Sequence, residues 1–331
     1  MSAAMSRPWP PVSVIMPARD EERHLAAAVA RVLDQDYPGE LEVVVAIGPS
    51  SDRTEAVARS LASADTRVRL IDNPDGRTPH GLNAALKAAR YDIVVRVDGH
   101  GLLSDRYISR AVEVLHETGA ANVGGIMQAE GVTPFEQAVA RAMTSRLGIG
   151  AAPFHVGGEP GPADSVYLGV FRRDVLDRLG GYDEHFIRAQ DWELNYRIRQ
   201  AGETIWFTPD LTVTYRPRST LRRLAAQFFR SGQWRREVVR HYPETANRRY
   251  LAPPLVVGAV AIGTIAGVAA LLGAPGWLAV GWLAPAGYAA GVLVAGVAAG
   301  RGLGVRARLW LPAVLATMHL SWGVGFLTRR R

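Results

Sequence analysis

Cysteine is absent from this chain, which excludes disulfides, thiolate metal sites and cysteine nucleophiles at once. Lysine is nearly absent too. Lys87 is the only one among 38 basic residues, so the net charge of +7 rests on arginine, whose planar, permanently charged head suits phosphates and carboxylates. No GxGxxG fingerprint and no P-loop occur, which argues against a dinucleotide-binding or nucleoside-triphosphatase core. Residues 1–11 form an N-terminal tail that carries Arg7 but no apolar core of signal-peptide length. No cleaved export signal is therefore expected, and the first domain is expected in the cytoplasm. A last scarcity is local: beyond about residue 250 acidic residues vanish and arginines fall in two clusters. That imbalance divides the chain into a soluble domain followed by a membrane domain.

Within the soluble part, short apolar runs alternate with helical patterns. Residues 12–17, 41–47 and 68–71 read as strands. Asp20-Glu21-Glu22 is expected to open a helix with acidic residues in its first turn, and residues 82–90 another helix. The alternation predicts an α/β fold with a mainly parallel sheet. Residues 91–100 stand out: a β-branched run ends at Asp98-Gly99-His100, as a buried parallel strand would deliver ligands at its carboxyl end. Two residues apart in a strand, Asp98 and His100 face one side, with Gly99 leaving room for a substrate. A carboxylate and an imidazole suit Mn²⁺ or another divalent ion that accepts nitrogen, whereas Mg²⁺ prefers oxygen. The same triplet can equally be a turn that caps the next helix. Asp191, at a helix start, can be an N-cap, and Glu21 can be a first-turn acid. Residues 121–129 read as a strand with a flexible Gly124-Gly125, and residues 148–162 as a Gly- and Pro-rich loop over the site.

Residues 216–241 set apolar positions at helical spacing among Arg222, Arg223, Arg230, Arg235, Arg236 and Arg240, as in a helix lying on an anionic bilayer surface. Residues 255–273, 277–299 and 309–327 are each of bilayer-crossing length and hold no charged side chain. The 301–308 loop is placed inside by its arginines. Three crossings then leave Arg329-Arg330-Arg331 outside, against the positive-inside rule, unless one segment, such as the third with Pro312 and His319, is re-entrant.

Four ordered motifs carry a family resemblance. Val12-Ser13-Val14-Ile15-Met16-Pro17-Ala18-Arg19-Asp20-Glu21-Glu22 resembles the opening strand of the family 2 glycosyltransferases of GT-A fold. Asp98-Gly99-His100 falls where that family has its Asp-x-Asp metal motif. Gly180-Gly181-Tyr182-Asp183-Glu184 and Gln190-Asp191-Trp192-Glu193-Leu194-Asn195-Tyr196-Arg197 are similar to its later segments. More narrowly, the chain resembles the ExoA-type transferases of succinoglycan assembly. The resemblance implies a GT-A domain over residues 12–215, basic amphipathic helices over 216–250 and transmembrane helices over 251–331.

It further implies an inverting transfer from a nucleotide-sugar to a lipid-linked, polyprenyl-type acceptor at the cell membrane, with a multi-pass anchor. Asp98 and His100 would hold Mn²⁺ or Mg²⁺, and Asp191 would be the base. Pro17, Ala18, Arg19, Glu21, Asp72, Asn83 and Asp98 would contact the donor. Gln190, Gln227, Arg230 and Trp234 would meet the acceptor or diphosphate, although Ser231-Gly232-Gln233 interrupts the family's Gln-x-x-Arg-Trp spacing. Ile47-Gly48-Pro49-Ser50 replaces the family's Asp-Asp-Gly-Ser, so Asp72 or Asp52 is the substitute contact to the base. Alternatives are a polyprenyl-phosphate sugar synthase, a carotenoid or lipid glycosyltransferase, and an inactive sugar-nucleotide-binding scaffold. Nucleic acid is not an expected partner, because the arginines gather beside the spans and no reader motif is present.

Overall fold

A computed structural model describes residues 9–246 and 248–329, and it divides into two compact units. The first 8 residues of the tail, and Arg330 and Arg331 of the terminal cluster, lie outside the described residues.

The first unit comprises the chain up to Gln128 together with Ala152–Tyr215. Its strands are β1 Val12–Ala18, β2 Leu41–Ile47, β3 Val68–Asp72, β4 Ile93–Arg96, β5 Leu102–Leu103, β6 Asn122–Ala129, β7 Gly161–Pro162, β8 Tyr167–Arg172 and β9 Ile205–Tyr215. They form one sheet in the order β3-β2-β1-β4-β8-β6-β9-β5, with β7 on β9. The β3-β2-β1-β4 half is parallel; β8 joins β4 antiparallel, and the pairings of β5, β7 and β8 are antiparallel as well. Val14, Val43, Val45 and Val95 are wholly or almost wholly buried, as expected of strands covered on both faces. The helices are α1 Leu25–Leu33, α2 Thr54–Ala64, α3 Thr78–Ala88 and α4 Tyr107–Thr118. Further along come α5 Pro134–Met143, α6 Arg146–Ile149, α7 Pro153–Val156, α8 Arg173–Arg178 and α9 Gln190–Gln200, of which α5 and α6 belong to the second unit.

Several expectations are corrected here. Helix α1 starts at Leu25, with no acid in its first turn. Asp20, Glu21 and Glu22 instead form a loop stitched to the loop after β2: Asp20 Oδ1 accepts from the Ser51 amide at 2.7 Å, and the Glu21 amide donates to Thr54 Oγ1 at 2.7 Å. Strand β4 stops at Arg96, so Asp98 and His100 are carried by the turn beyond it and strand alternation does not orient them. Gly124-Gly125 serves close packing rather than flexibility, since a Cβ at Gly125 would collide with the Leu211 carbonyl. The supposed loop over 148–162 contains α7 and β7, and β7 is tied to the sheet by pairing with Trp206 and Phe207. Strand β9, 11 residues long, lies in a stretch to which sequence periodicity assigned no element, because Pro209 and Asp210 interrupt it.

The second unit comprises Ala129–Ala151 and residues from Arg216 onward. It holds α10 Leu221–His241, α11 Arg248–Leu271, α12 Leu283–Ala299 and α13 Val305–Leu327. Residues 129–151 group here although the expected GT-A domain contains them. Phe135 of α5 meets the Trp310 ring edge-on at 5.3 Å, and Arg141 donates to the Ala299 and Arg301 carbonyls at 3.2 and 3.1 Å. Helices α10 and α13 pack at backbone distance: a Cβ at Gly232 would strike the Trp322 carbonyl and one at Gly325 the Phe229 carbonyl. Arg236 caps the end of α13 by donating to the Leu327 carbonyl at 2.7 Å.

Among the described residues, three helices are long and apolar enough to cross a membrane: Tyr250–Leu271, Gly276–Ala299 and Val305–Leu327. At 22 to 24 residues each reaches about 33 Å or more, the thickness of a bilayer core. Leu255, Ile262, Leu271, Val297 and Leu309 stand exposed on them, a surface that water does not tolerate in such quantity. Helix α13 runs unbroken through Pro312 and takes in Arg306 and Arg308, which the sequence reading assigned to a loop.

Candidate active site at the switch point of the sheet

Strand order 3-2-1-4 reverses direction between β1 and β4, so the crevice beyond their carboxyl ends is where an open α/β sheet binds ligands. Pro17 and Ala18 end β1 at that crevice, Arg19 and Glu21 follow them, and Asp98, Gly99 and His100 come after β4. The two turns touch: a Cβ at Gly99 would lie 3.2 Å from Glu21 Cγ, so the bare glycine admits the Glu21 side chain rather than open space. His100 Nδ1 stands 2.7 Å from Glu21 Oε1. Against an ionised carboxylate Nδ1 carries the proton, which makes Nε2 the nitrogen able to ligate, the usual way a carboxylate orients a metal-binding imidazole.

Asp98 is one-fifth exposed, and its Oδ1 accepts from Arg96 Nη2 at 3.0 Å. Burial pushes its carboxyl up, but the Arg96 charge and hydrogen bond, joined by His100 when that ring is protonated, outweigh burial and hold it below the usual carboxylate range. The same guanidinium makes an ion pair with Asp191, the second residue of α9. Ala189, the residue before α9, has φ 62°. A left-handed alanine costs on the order of 1 kcal/mol, the kind of strain that gathers at working sites. Asp191 and Glu193 occupy the first turn, where the helix dipole favours acids.

The remaining motif residues serve as supports. Fully buried Glu193 binds Arg197 through both oxygens, at 2.6 and 2.8 Å, and Arg197 donates to the Leu179 and Gly181 carbonyls, both at 2.8 Å. Asn83 clamps the same loop, its amide bonding both the Tyr182 N–H and carbonyl at 2.8 Å. Gly180 and Gly181 supply the positive φ values of 76° and 72° that the loop requires. Held this way, the Tyr182 ring sits 6.0 Å from the Arg96 guanidinium carbon.

On the β2–β3 side, a side chain at Gly48 is blocked by Gly76 Cα, which a Cβ would approach to 2.9 Å. An aspartate cannot stand there without moving that loop. Arg19 covers the spot, donating to the Gly76 carbonyl at 3.4 Å. Asp52 is committed to Thr54 and to the Glu22 amide, whereas Asp72 ends β3 exposed, in register with Ile47. Gln190 begins α9 beside Asp191. Gln227, Arg230 and Trp234 lie in the second unit and share one side of α10, where Gln227 accepts from Arg218 Nε at 3.2 Å and Trp234 is buried. Arg96 belongs to the Arg96-Val97-Asp98-Gly99-His100 stretch that carries the narrower resemblance, but sequence alone assigned it no role of its own. Its signal was a charge at the end of an apolar strand whose other residues are Ile93, Val94 and Val95.

The donor set fits a divalent ion: one carboxylate already ionised, one imidazole with its tautomer set, and a carboxylate behind it. Facing these across Arg96 stands the half-buried carboxylate of Asp191.

Comparison with known proteins gives the family. The model for "Glycosyl transferase family 2" matches residues 13–180. The succinoglycan biosynthesis protein ExoA of Rhizobium meliloti (strain 1021) is 34% identical over 95% of this chain and 93% of its own length. A Methanococcus voltae dolichyl N-acetyl-alpha-D-glucosaminyl phosphate 3-beta-D-2,3-diacetamido-2,3-dideoxy-beta-D-glucuronosyltransferase is 22% identical over 65% of this chain and 70% of its own. Among solved structures, the mannosyltransferase PcManGT from Pyrobaculum calidifontis, in complex with GDP-Man and Mn²⁺, superposes with a TM-score of 0.58 at 23% identity, covering 95% of this chain and 89% of that one. The chain belongs to glycosyltransferase family 2, is a glycosyltransferase, and has the GT-A fold followed by three apolar helices.

Proposed function

We propose that this protein transfers a sugar, with inversion, from a nucleotide-sugar to a lipid-linked acceptor at the cell membrane, in the assembly of a polysaccharide or glycolipid. The observation that carries the reading is the convergence of Asp98, the Glu21–His100 pair and Asp191 at the switch point of one sheet. Asp98 and His100 are the metal ligands, and Glu21 orients His100. A bound Mn²⁺ or Mg²⁺ supplies positive charge to the diphosphate as it leaves. Asp191 takes the proton of the acceptor hydroxyl as its oxygen attacks the anomeric carbon from the side opposite the departing phosphate oxygen. One C–O bond forms, one breaks, and the nucleoside diphosphate departs. Pro17, Ala18, Arg19 and Asp72 border the nucleoside. Gln190, Gln227, Arg230 and Trp234 are assigned to acceptor or diphosphate.

The acceptor class is drawn from the three helices of crossing length and from the names of the relatives, one acting in succinoglycan biosynthesis and one on a dolichyl-linked sugar. An unsheathed run of apolar helices in a sugar transferase makes sense when its acceptor also lives in lipid. The cytoplasmic face is assigned to the catalytic unit because nucleotide-sugars are made there.

The test is release of free nucleotide by the purified full chain with Mn²⁺, membrane lipid extract and a panel of UDP-, GDP- and dTDP-sugars. GDP-mannose is included because the mannosyltransferase of like fold binds it. Release with one donor, dependent on the lipid extract, is expected. Release that is equal without lipid would contradict the acceptor assignment, and no release with any donor would contradict the function.

A further inference from the structure

Arg96 is an arginine where the sheet has no use for one. It is the last residue of β4, its side chain is 3% exposed, and the strand otherwise consists of Ile93, Val94 and Val95. Burying a guanidinium costs several kcal/mol unless partners satisfy it. Its partners here are the two carboxylates with different duties. Nη2 donates to Asp98 at 3.0 Å and Nη1 forms an ion pair with Asp191, while neither Nε nor Nη1 makes a hydrogen bond among the described residues. Behind it, Tyr182 is fixed by Asn83, and its loop by Arg197, so the guanidinium has a rigid backing.

We propose that Arg96 is a positioning residue that couples the two sides of the site, holding the Asp98 carboxylate and the Asp191 carboxylate at a set separation through one planar fork. The inference rests on the reading of Asp98 as metal ligand and Asp191 as base. A lysine cannot replace it, because a single ammonium lacks the fork that reaches two carboxylates. The same contact draws on the Asp98 charge, so Arg96 competes with a divalent cation for that ligand. Losing it therefore moves metal affinity and turnover in opposite directions.

The experiment compares the full chain with Arg96→Gln and Arg96→Lys, measuring Mn²⁺ binding by electron paramagnetic resonance and nucleotide release with the productive donor. Arg96→Gln is expected to bind Mn²⁺ roughly threefold or more tightly. Its kcat should fall roughly 100-fold, as for a misplaced catalytic group, with donor KM changed by less than about threefold. Arg96→Lys should keep the parent Mn²⁺ affinity, since the charge beside Asp98 remains, and still lose kcat. Mn²⁺ affinity and kcat falling together in Arg96→Gln, as simple structural damage would give, or full kcat in Arg96→Lys, overturns the proposal. If Arg96→Gln does not fold, Asp191→Asn reads the coupling from the other end. It leaves the guanidinium to Asp98 alone and should weaken Mn²⁺ binding although Asp191 is no ligand; unchanged affinity overturns the coupling. A parent chain that binds no Mn²⁺ and releases no nucleotide sinks the underlying assignments as well. A parent that does both, with unmoved Arg96 variants, sinks the coupling alone.

Discussion

Two charged clusters occupy opposite ends of the same four parallel strands, and they are built on opposite principles. At the amino ends, Glu42 is almost wholly buried and fully engaged: its Oε1 accepts from Ser13 Oγ at 2.7 Å and the Arg90 amide at 2.8 Å, and its Oε2 pairs with Arg69 at 2.8 Å. At the carboxyl ends, Asp98, Asp191 and His100 each keep part of their surface in solvent, and the arginine between the two carboxylates retains an idle N–H. A closed network spends its bonding capacity on the fold. An open one keeps capacity for something that arrives. The difference separates a structural ion cluster from a working one without reference to any motif.

That contrast can be broken in several ways. The largest expected effect is at the open end: thorough chelation should abolish nucleotide release, and added Mn²⁺ should restore it. Persistent activity would remove Asp98 and His100 as ligands. Next, Glu21→Gln should weaken Mn²⁺ binding by roughly 10- to 100-fold by loosening His100, as seen when the partner of a ligating histidine is lost; titration of Mn²⁺ against release measures it. At the closed end, Glu42→Gln should lower stability at neutral pH by about 3 kcal/mol, as for a broken buried pair, while kcat at low temperature stays at the parent value. Burial raises the Glu42 carboxyl, but its donors Ser13, Arg69 and Arg90 prevail and hold it low. Its folded value lies below its unfolded one, so its contribution is complete above the ordinary carboxylate range and is lost as pH falls through the lowered value. Thermal unfolding of parent and variant should therefore differ at pH 7, and the difference should shrink as pH falls below the ordinary carboxylate range.

Much of this was legible in the sequence, for identifiable reasons. The parallel half of the sheet announces itself because strands buried on both faces must be continuously apolar, and β2 runs over the residues that pattern marks. The antiparallel half was harder to see. Two-residue strands such as β5 and β7 carry no periodicity, and β9 is broken by Pro209. Residues 129–151 read as part of the first domain because nothing in a local window reveals that Phe135 has its partner at Trp310. In the candidate site, Asp98, His100 and Asp191 were singled out by chemistry and order, but the orientation of Asp98 and His100 was argued from a strand that ends two residues too soon. Arg96 received no role because a charge inside an apolar run has no evident partner until its two carboxylates are seen around it. Glu21 and Asn83 were expected at the donor. Sequence did not show that Glu21 also contacts His100 or that Asn83 holds Tyr182.

The central claim is that the open cluster performs the chemistry, and Asp191→Asn tests it most directly. With the productive donor and lipid extract, the variant should retain donor binding while nucleotide release falls by about 100- to 10,000-fold, the loss expected on removing a general base. Near-normal release by a folded Asp191→Asn protein would contradict the account.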